Sequence, residues 1–266
     1  MEATYDYEDL RRIAVRVAGE AAGLLRDYAC DSRYARKVKG ETIVADKIAE
    51  DYILDALRGE NLKVRGVSEE KGPFGDEGLF AVIDPLDGST NYTNCISWAS
   101  VSIAFALGNT MESLVAGAVA PVFYGNTFSF SRGGGCYYGG RRLTKPKTVP
   151  RLVFAYTEDP VKAQKLINAV KHIEPEVKIR GLGSAALEIC YVAAGKAMLF
   201  ADLRSRLRNV DIAAAVGFLR ECGGEAYNLR SAILNPGLEN IEVVGDVVAS
   251  LNKNIALNFL KLIETI

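Results

Sequence analysis

The apolar run Leu79-Phe80-Ala81-Val82-Ile83 stops at Asp84-Pro85-Leu86-Asp87-Gly88-Ser89-Thr90-Asn91, and this junction restricts the fold more than any other stretch of the chain. The run reads as a buried strand. Pro85 fixes its own φ and biases Asp84 toward extended backbone, so the strand has to end in a defined bend. Gly88 lets backbones approach closely, and Ser89 and Thr90 can cap a helical turn that follows. Two carboxylates beside the free N–H groups of a helix start form a place where Mg²⁺ and phosphate could be held together. The same residue types also make ordinary surface turns. The choice between the two depends on what the rest of the chain supplies.

A chain of 266 residues, 49% apolar and 24% charged, has material for a large core, as one domain or as two intimate halves. Its net charge of −1 gives no bulk attraction to nucleic acid or to an anionic membrane. No apolar run reaches membrane-spanning length, and the start Met1-Glu-Ala-Thr-Tyr-Asp6 is acidic rather than signal-like, so a cytoplasmic protein is expected. The cysteines Cys30, Cys95, Cys136, Cys190 and Cys222 are scattered and lack CxxC spacing. Neither a disulfide framework nor a zinc site is expected from them, and Cys190 and Cys222 read as core residues. His172 is the single histidine, which argues against a Ser-His-Asp triad or a His-rich metal site. An enzyme of this composition would work with carboxylates and metals.

Helical periodicity covers residues 6–29 and 42–58. Strand-like segments follow at 62–67, 79–83, 99–107, 113–120 and 126–131. The Gly-rich run Gly133–Gly140 lacks the Lys-Ser/Thr ending of a phosphate loop and reads as a hairpin rim. Beyond Pro146 and Pro150, strands near 151–156, 177–181, 197–201, 224–228 and 241–246 alternate with helices near 160–172, 183–194, 210–222 and 249–264. This change of texture divides the chain into an α+β half, 1–146, and a more α/β half, 147–266.

Four further elements bear on the turn at Asp84. Glu69-Glu70 follows a predicted strand, where an exposed acidic pair is commonplace. Asp46 lies in the first turn of a helix, where a carboxylate usually serves the helix dipole. Asp211, in Asn209-Val210-Asp211-Ile212-Ala213-Ala214, opens a small apolar helix and could be only a cap. Arg180-Gly181-Leu182-Gly183-Ser184-Ala185 is a Gly-rich strand-to-helix turn, weak evidence for anion binding on its own.

Taken together and in this order, the Glu69-Glu70 pair, Asp84-Pro-Leu-Asp-Gly-Ser-Thr-Asn91 and Val210-Asp211-Ile-Ala-Ala214 resemble the inositol monophosphatase / fructose-1,6-bisphosphatase family, over nearly the whole chain. The resemblance implies a layered αβαβα sandwich and a phosphatase that uses two or three Mg²⁺ ions, with Mn²⁺ a possible substitute. It implies Glu69, Asp84, the Leu86 carbonyl, Asp87 and Asp211 as metal ligands, with Glu70 the lesser candidate of its pair. Asp87, Gly88 and Ser89 would meet the substrate, and Ser89, Asp46 and Glu69 would serve the attacking water. Metals make water acidic enough that no histidine base is required. A homodimer is expected, with small sugar or inositol phosphates as partners and neither nucleic acid nor membrane.

Inositol-specific members place a Glu seven residues before the Val-Asp-Ile aspartate, whereas this chain has Arg204 there, within Asp202-Leu-Arg204-Ser-Arg206-Leu-Arg208. A guanidinium at that place could grip a second phosphate. Arg180 could approach the same end, with Ser184 and Ala185 in the pocket wall. Arg206 and Arg208 read as solvated charges beside it. The expected activity is removal of phosphate from fructose 1,6-bisphosphate and myo-inositol 1-phosphate. A narrow inositol-1-monophosphatase and a 3′-phosphoadenosine 5′-phosphate phosphatase are the alternatives within the resemblance. An inactive ligand-binding relative is the alternative outside it, and the intact acidic set speaks against that.

Overall fold

The structure, a computed structural model, describes residues 5–60 and 62–265; residues 1–4 of the acidic start lie outside them. The chain opens with α1 (Tyr7–Asp27), a ribbon of β1 (Lys37–Lys39) and β2 (Thr42–Ile43), and α2 (Val44–Gly59). Next come β3 (Val64–Ser68), β4 (Gly72–Phe74), β5 (Leu79–Asp87) and the short helix α3 (Ser89–Thr93). A meander follows: β6 (Ser100–Ala106), β7 (Leu114–Pro121), β8 (Phe128–Ser131), β9 (Gly135–Tyr138) and β10 (Arg141–Arg142). Then come β11 (Leu152–Tyr156), α4 (Pro160–Ile173), β12 (Lys178–Arg180) and α5 (Ala185–Ala193). The chain finishes with β13 (Leu199–Arg208), α6 (Asn209–Glu221), β14 (Glu225–Tyr227), β15 (Val243–Ser250) and α7 (Lys253–Thr265).

These elements stack as the five layers expected. The first sheet has eight strands in the order β10-β9-β8-β7-β6-β5-β3-β4, antiparallel except where β3 lies parallel to β5. Strand alternation sorts its side chains. Leu79, Ala81 and Ile83 face the α1–α2 pair, with Leu10, Val17, Leu25, Ile53 and Leu57. Phe80 and Val82 face the other way, into a core shared with α5 and α6. Both faces are covered, which is why the sequence run is apolar without alternation. The second sheet, β12-β11-β13-β15-β14, packs Phe154 and Phe200 on the same central helices and Val153, Leu199 and Ala201 on α4 and α7. Helix α6 is buried from Asn209 to Leu219, as a helix sandwiched between two sheets must be.

Several boundaries differ from the sequence expectation. Strand β5 runs on through the Asp-Pro-Leu-Asp segment to Asp87, because Pro85 keeps the backbone extended while the register against β6 shifts between Asp84 and Asp87. Strand β13 continues to Arg208, far beyond 201, and β15 occupies 243–250 rather than 241–246. Gly133–Gly140 spans the β8–β9 turn, strand β9 and the β9–β10 turn, a hairpin rim as read.

The cysteine expectation is corrected. Cys30 is joined to Cys95 and Cys136 to Cys222, and only Cys190 is a buried free thiol. Cys222 is thus not a plain core residue but the cross-linked cap of α6. The partners lie 65 and 86 residues apart in sequence, so only the fold brings them together. No helix among the described residues is long and apolar enough to cross a membrane.

Candidate active site

The site grows from the end of β5. The Leu86 N–H donates to Asp84 Oδ1 at 3.0 Å, which fixes the first carboxylate inside the bend. Gly88 then turns the chain into α3 at φ +96°. A Cβ there would lie 2.9 Å from the Gly183 carbonyl oxygen and 3.0 Å from that of Trp98, so the position demands glycine on two counts. Asn91 closes the turn, its Nδ2 donating to the Trp98 carbonyl at 2.8 Å and the Leu182 carbonyl at 2.6 Å. The Asp84–Asn91 segment is therefore stitched to the Gly181–Ser184 turn before any ligand is considered.

Other elements bring further carboxylates. Glu69 leaves β3 alongside β5, with its N–H on the Ile83 carbonyl at 3.1 Å. Asp211, the third residue of α6, accepts from the Arg208 backbone N–H at 2.8 Å. Asp46 has the same place in α2 and accepts from the Ile43 N–H at 2.7 Å, while its Oδ1 is buried without a hydrogen-bond partner. The capping role foreseen for Asp211 is thus real, Asp46, read as a helix-dipole partner, makes the same bond, and both keep oxygen lone pairs over. Asp87 is held from behind: its Oδ2 accepts from Ser184 Oγ at 2.6 Å and the Ala186 N–H at 2.8 Å.

One oxygen from each of Glu69, Asp84 and Asp211 comes within 4.8 Å of the others. Burial, then repulsion from Glu69, Asp87 and Asp211, raises the Asp84 pKa well above the ordinary carboxylate value. Burial also pushes Asp87 up to about 7 and Asp46 up to about 8, and raises Asp211 even though Arg208 pulls it back. Buried like charges of this kind are relieved by a divalent cation. Hard oxygen donors converging from three separate elements are the set that Mg²⁺ or Mn²⁺ takes, so the residues fit a metal of that class.

A cavity of about 150 Å³ opens over the cluster. Glu69, Asp84, Leu86, Asp87 and Asp211 line it together with Gly88 and Ser89. Gly183, Ala185, Tyr156, Arg204 and Arg208 complete the lining. Four of the residues read from the sequence lie elsewhere. Ser184 is fully buried behind Asp87 and positions it rather than forming the wall. Arg180 is exposed and turns its guanidinium to the Ile179 carbonyl at 2.8 Å. Asp46 sits outside the cavity lining, close enough to Glu69 and Glu70 to feel both charges. Glu70 accepts from Thr42 Oγ1 and is not part of the converging trio.

Arg204 reaches the cavity as read. Its Nε lies 3.1 Å from both Asp202 oxygens, and its guanidinium stacks over the Tyr156 ring at 4.5 Å. Tyr156 escaped the sequence reading. Its one signal was its place at the C-terminal end of a parallel strand, β11, next to Asp202 of β13. Arg208, read as a solvated charge, instead binds Glu69 and Asp211. Arg206 does pair at the surface, with Glu158.

Residues 6–265 match the profile of the inositol monophosphatase family. An Aeropyrum pernix protein named inositol-1-monophosphatase is 48% identical, over 94% of this chain and 96% of its own length. A fructose-1,6-bisphosphatase/inositol-1-monophosphatase of Archaeoglobus fulgidus is 28% identical, over 95% of this chain and 99% of its own. Among solved structures, a Pyrococcus horikoshii protein described as having similarities to inositol-1 monophosphatase superposes with a TM-score of 0.81 at 26% identity, covering 96% of this chain and 98% of that one.

Proposed function

The chain belongs to the inositol monophosphatase family, a family of metal-dependent phosphatases, and on that footing we propose that it hydrolyses fructose 1,6-bisphosphate and myo-inositol 1-phosphate with Mg²⁺. The observation that carries the proposal is the convergence of Glu69, Asp84 and Asp211 in a cavity that Arg204 also lines. Glu69, Asp84, the Leu86 carbonyl, Asp87 and Asp211 would hold two or three ions, with Mn²⁺ as a substitute. Bound there, the metal supplies positive charge against the phosphate oxygens and makes an attacking water acidic. The backbone N–H groups of Gly88 and Ser89 take the phosphate, with Asp87 behind them. The Ser89 hydroxyl and the unpartnered Oδ1 of Asp46 aim the water. Ser184 keeps Asp87 in place. The proposal assigns most ligands to the half 1–146 and Asp211 with the substrate wall to 147–266. A cytoplasmic location and a homodimeric assembly belong to it as well; light scattering of the purified chain tests the second.

Arg204 is the residue proposed to choose the substrate, its guanidinium receiving the phosphate that is not cleaved. Stacking on Tyr156 and the hydrogen bonds to Asp202 hold it in one orientation. The Asp202 carboxylate also favours a second reading, a narrow inositol-1-monophosphatase, because it already neutralises part of the Arg204 charge. Rates on the two substrates separate these readings. Arg204→Glu should lower turnover of the bisphosphate about tenfold more than that of the inositol phosphate. Equal losses on both would leave the narrow reading standing.

A further inference from the structure

Arg208 carries a positive charge into the carboxylate cluster itself. Its Nη2 donates to Glu69 Oε1 and, at 2.7 Å, to Asp211 Oδ1, while its Nε lies 3.1 and 3.3 Å from the two Asp211 oxygens. The backbone of the same residue caps α6 through its N–H on Asp211. One guanidinium thus ties β3 to α6 and engages two of the three carboxylates whose oxygens converge. Burial works against that charge, but Glu69 and Asp211 more than offset it. The other two arginines of β13 are engaged elsewhere, Arg204 with Asp202 and Arg206 with Glu158.

The oxygens that accept from Arg208 belong to two of the three carboxylates that converge as a metal site. Two cations cannot sit on the same oxygens within a few ångströms without strong repulsion. We propose that Arg208 is a built-in competitor for the metal: it bridges Glu69 and Asp211, yields them when a divalent cation binds, and so sets the metal concentration at which the site fills. This rests on the metal-dependent reading above. The bridge also keeps a buried set of like charges compatible with folding. When displaced, the guanidinium stays in the same small cavity as Arg204, where the anionic substrate arrives.

The test is calorimetric titration of the full chain with MgCl₂ and, separately, MnCl₂, without substrate, on the wild type, R208Q and R208K. R208Q should bind metal about tenfold more tightly or better, because the competing charge-assisted hydrogen bonds are gone. R208K, which keeps the charge but lacks the planar fork, should fall between. In metal-free buffer R208Q should melt below the wild type, and saturating Mg²⁺ should close the gap. Metal affinity that is unchanged or weaker in R208Q overturns the proposal, since a merely structural arginine would leave the ligands worse placed when lost. Should R208Q fail to fold, R208K decides by the same criterion. If metal binds to neither the wild type nor the variants, the metal reading itself falls and the competition with it.

Discussion

Single residues in this protein serve structure and chemistry at once. Asp46 and Asp211 each sit at the third position of a helix and reach back to a backbone N–H, an ordinary end for a helix. What distinguishes them is burial and neighbouring charge, neither of which is visible in a local sequence window. Glu188 shows the same gap between sequence and site. It is fully buried on α5, and its Oε1 accepts from the Leu182 N–H at 2.7 Å, pinning the turn that Asn91 also grips. Burial pushes its pKa up to about 8 from an ordinary 4.5. The folded state therefore holds a proton that the unfolded chain releases between these values, and stability falls as pH rises through that window. Glu188→Gln keeps an acceptor for Leu182 and removes the titration. Thermal midpoints measured from about pH 5 to about pH 8 should fall less steeply in the variant than in the wild type. Parallel curves would show that Glu188 is ionised throughout.

At the scale of elements, the legible parts were those with regular periodicity. The helices α1, α2 and α4 follow from spacing and β5 from a continuous apolar run, although β5 runs on through Pro85 and the chain turns only at Gly88. Strand β13 did not. Asp202, Arg204, Arg206 and Arg208 alternate and would share one face of a regular strand. Ser205 has φ +58°, and the pairing with β15 shifts between Asp202 and Leu207. A second shift falls between Leu207 and Arg208, and the two breaks together put Arg206 at the surface with Arg204 and Arg208 in the cavity. The cysteines were hidden for a different reason, since chain separation says nothing about proximity. Cys136–Cys222 fastens the C-terminal end of α6 to β9, and the other end of α6 carries Asp211. Replacing both cysteines by serine should lower the unfolding free energy by about 2–4 kcal/mol, read from urea unfolding of oxidised protein. Thiol titration in denaturant should find one free thiol before reduction and five after. Five thiols without reductant would remove the cross-links from the account.

Across the whole molecule, the five layers explain why the chemistry sits where it does. The site draws Asp84 and Asp87 from the first sheet, Asp211 from the central helical layer and Arg204 from the second sheet. Asp84 and Asp211 stand on elements buried on both sides, and the cavity lies where these elements meet β13. Net charge and composition could not say which arginine faces which carboxylate. The central claim is that this meeting point hydrolyses phosphate esters with a divalent metal. The most direct test is phosphate release from myo-inositol 1-phosphate and fructose 1,6-bisphosphate by the purified chain. It should be run with Mg²⁺, after chelation, and after Mg²⁺ is restored, beside Asp84→Asn throughout. Release that stops on chelation, returns with Mg²⁺ and is absent from Asp84→Asn is the predicted result; release that survives chelation, or that persists in Asp84→Asn, would contradict it.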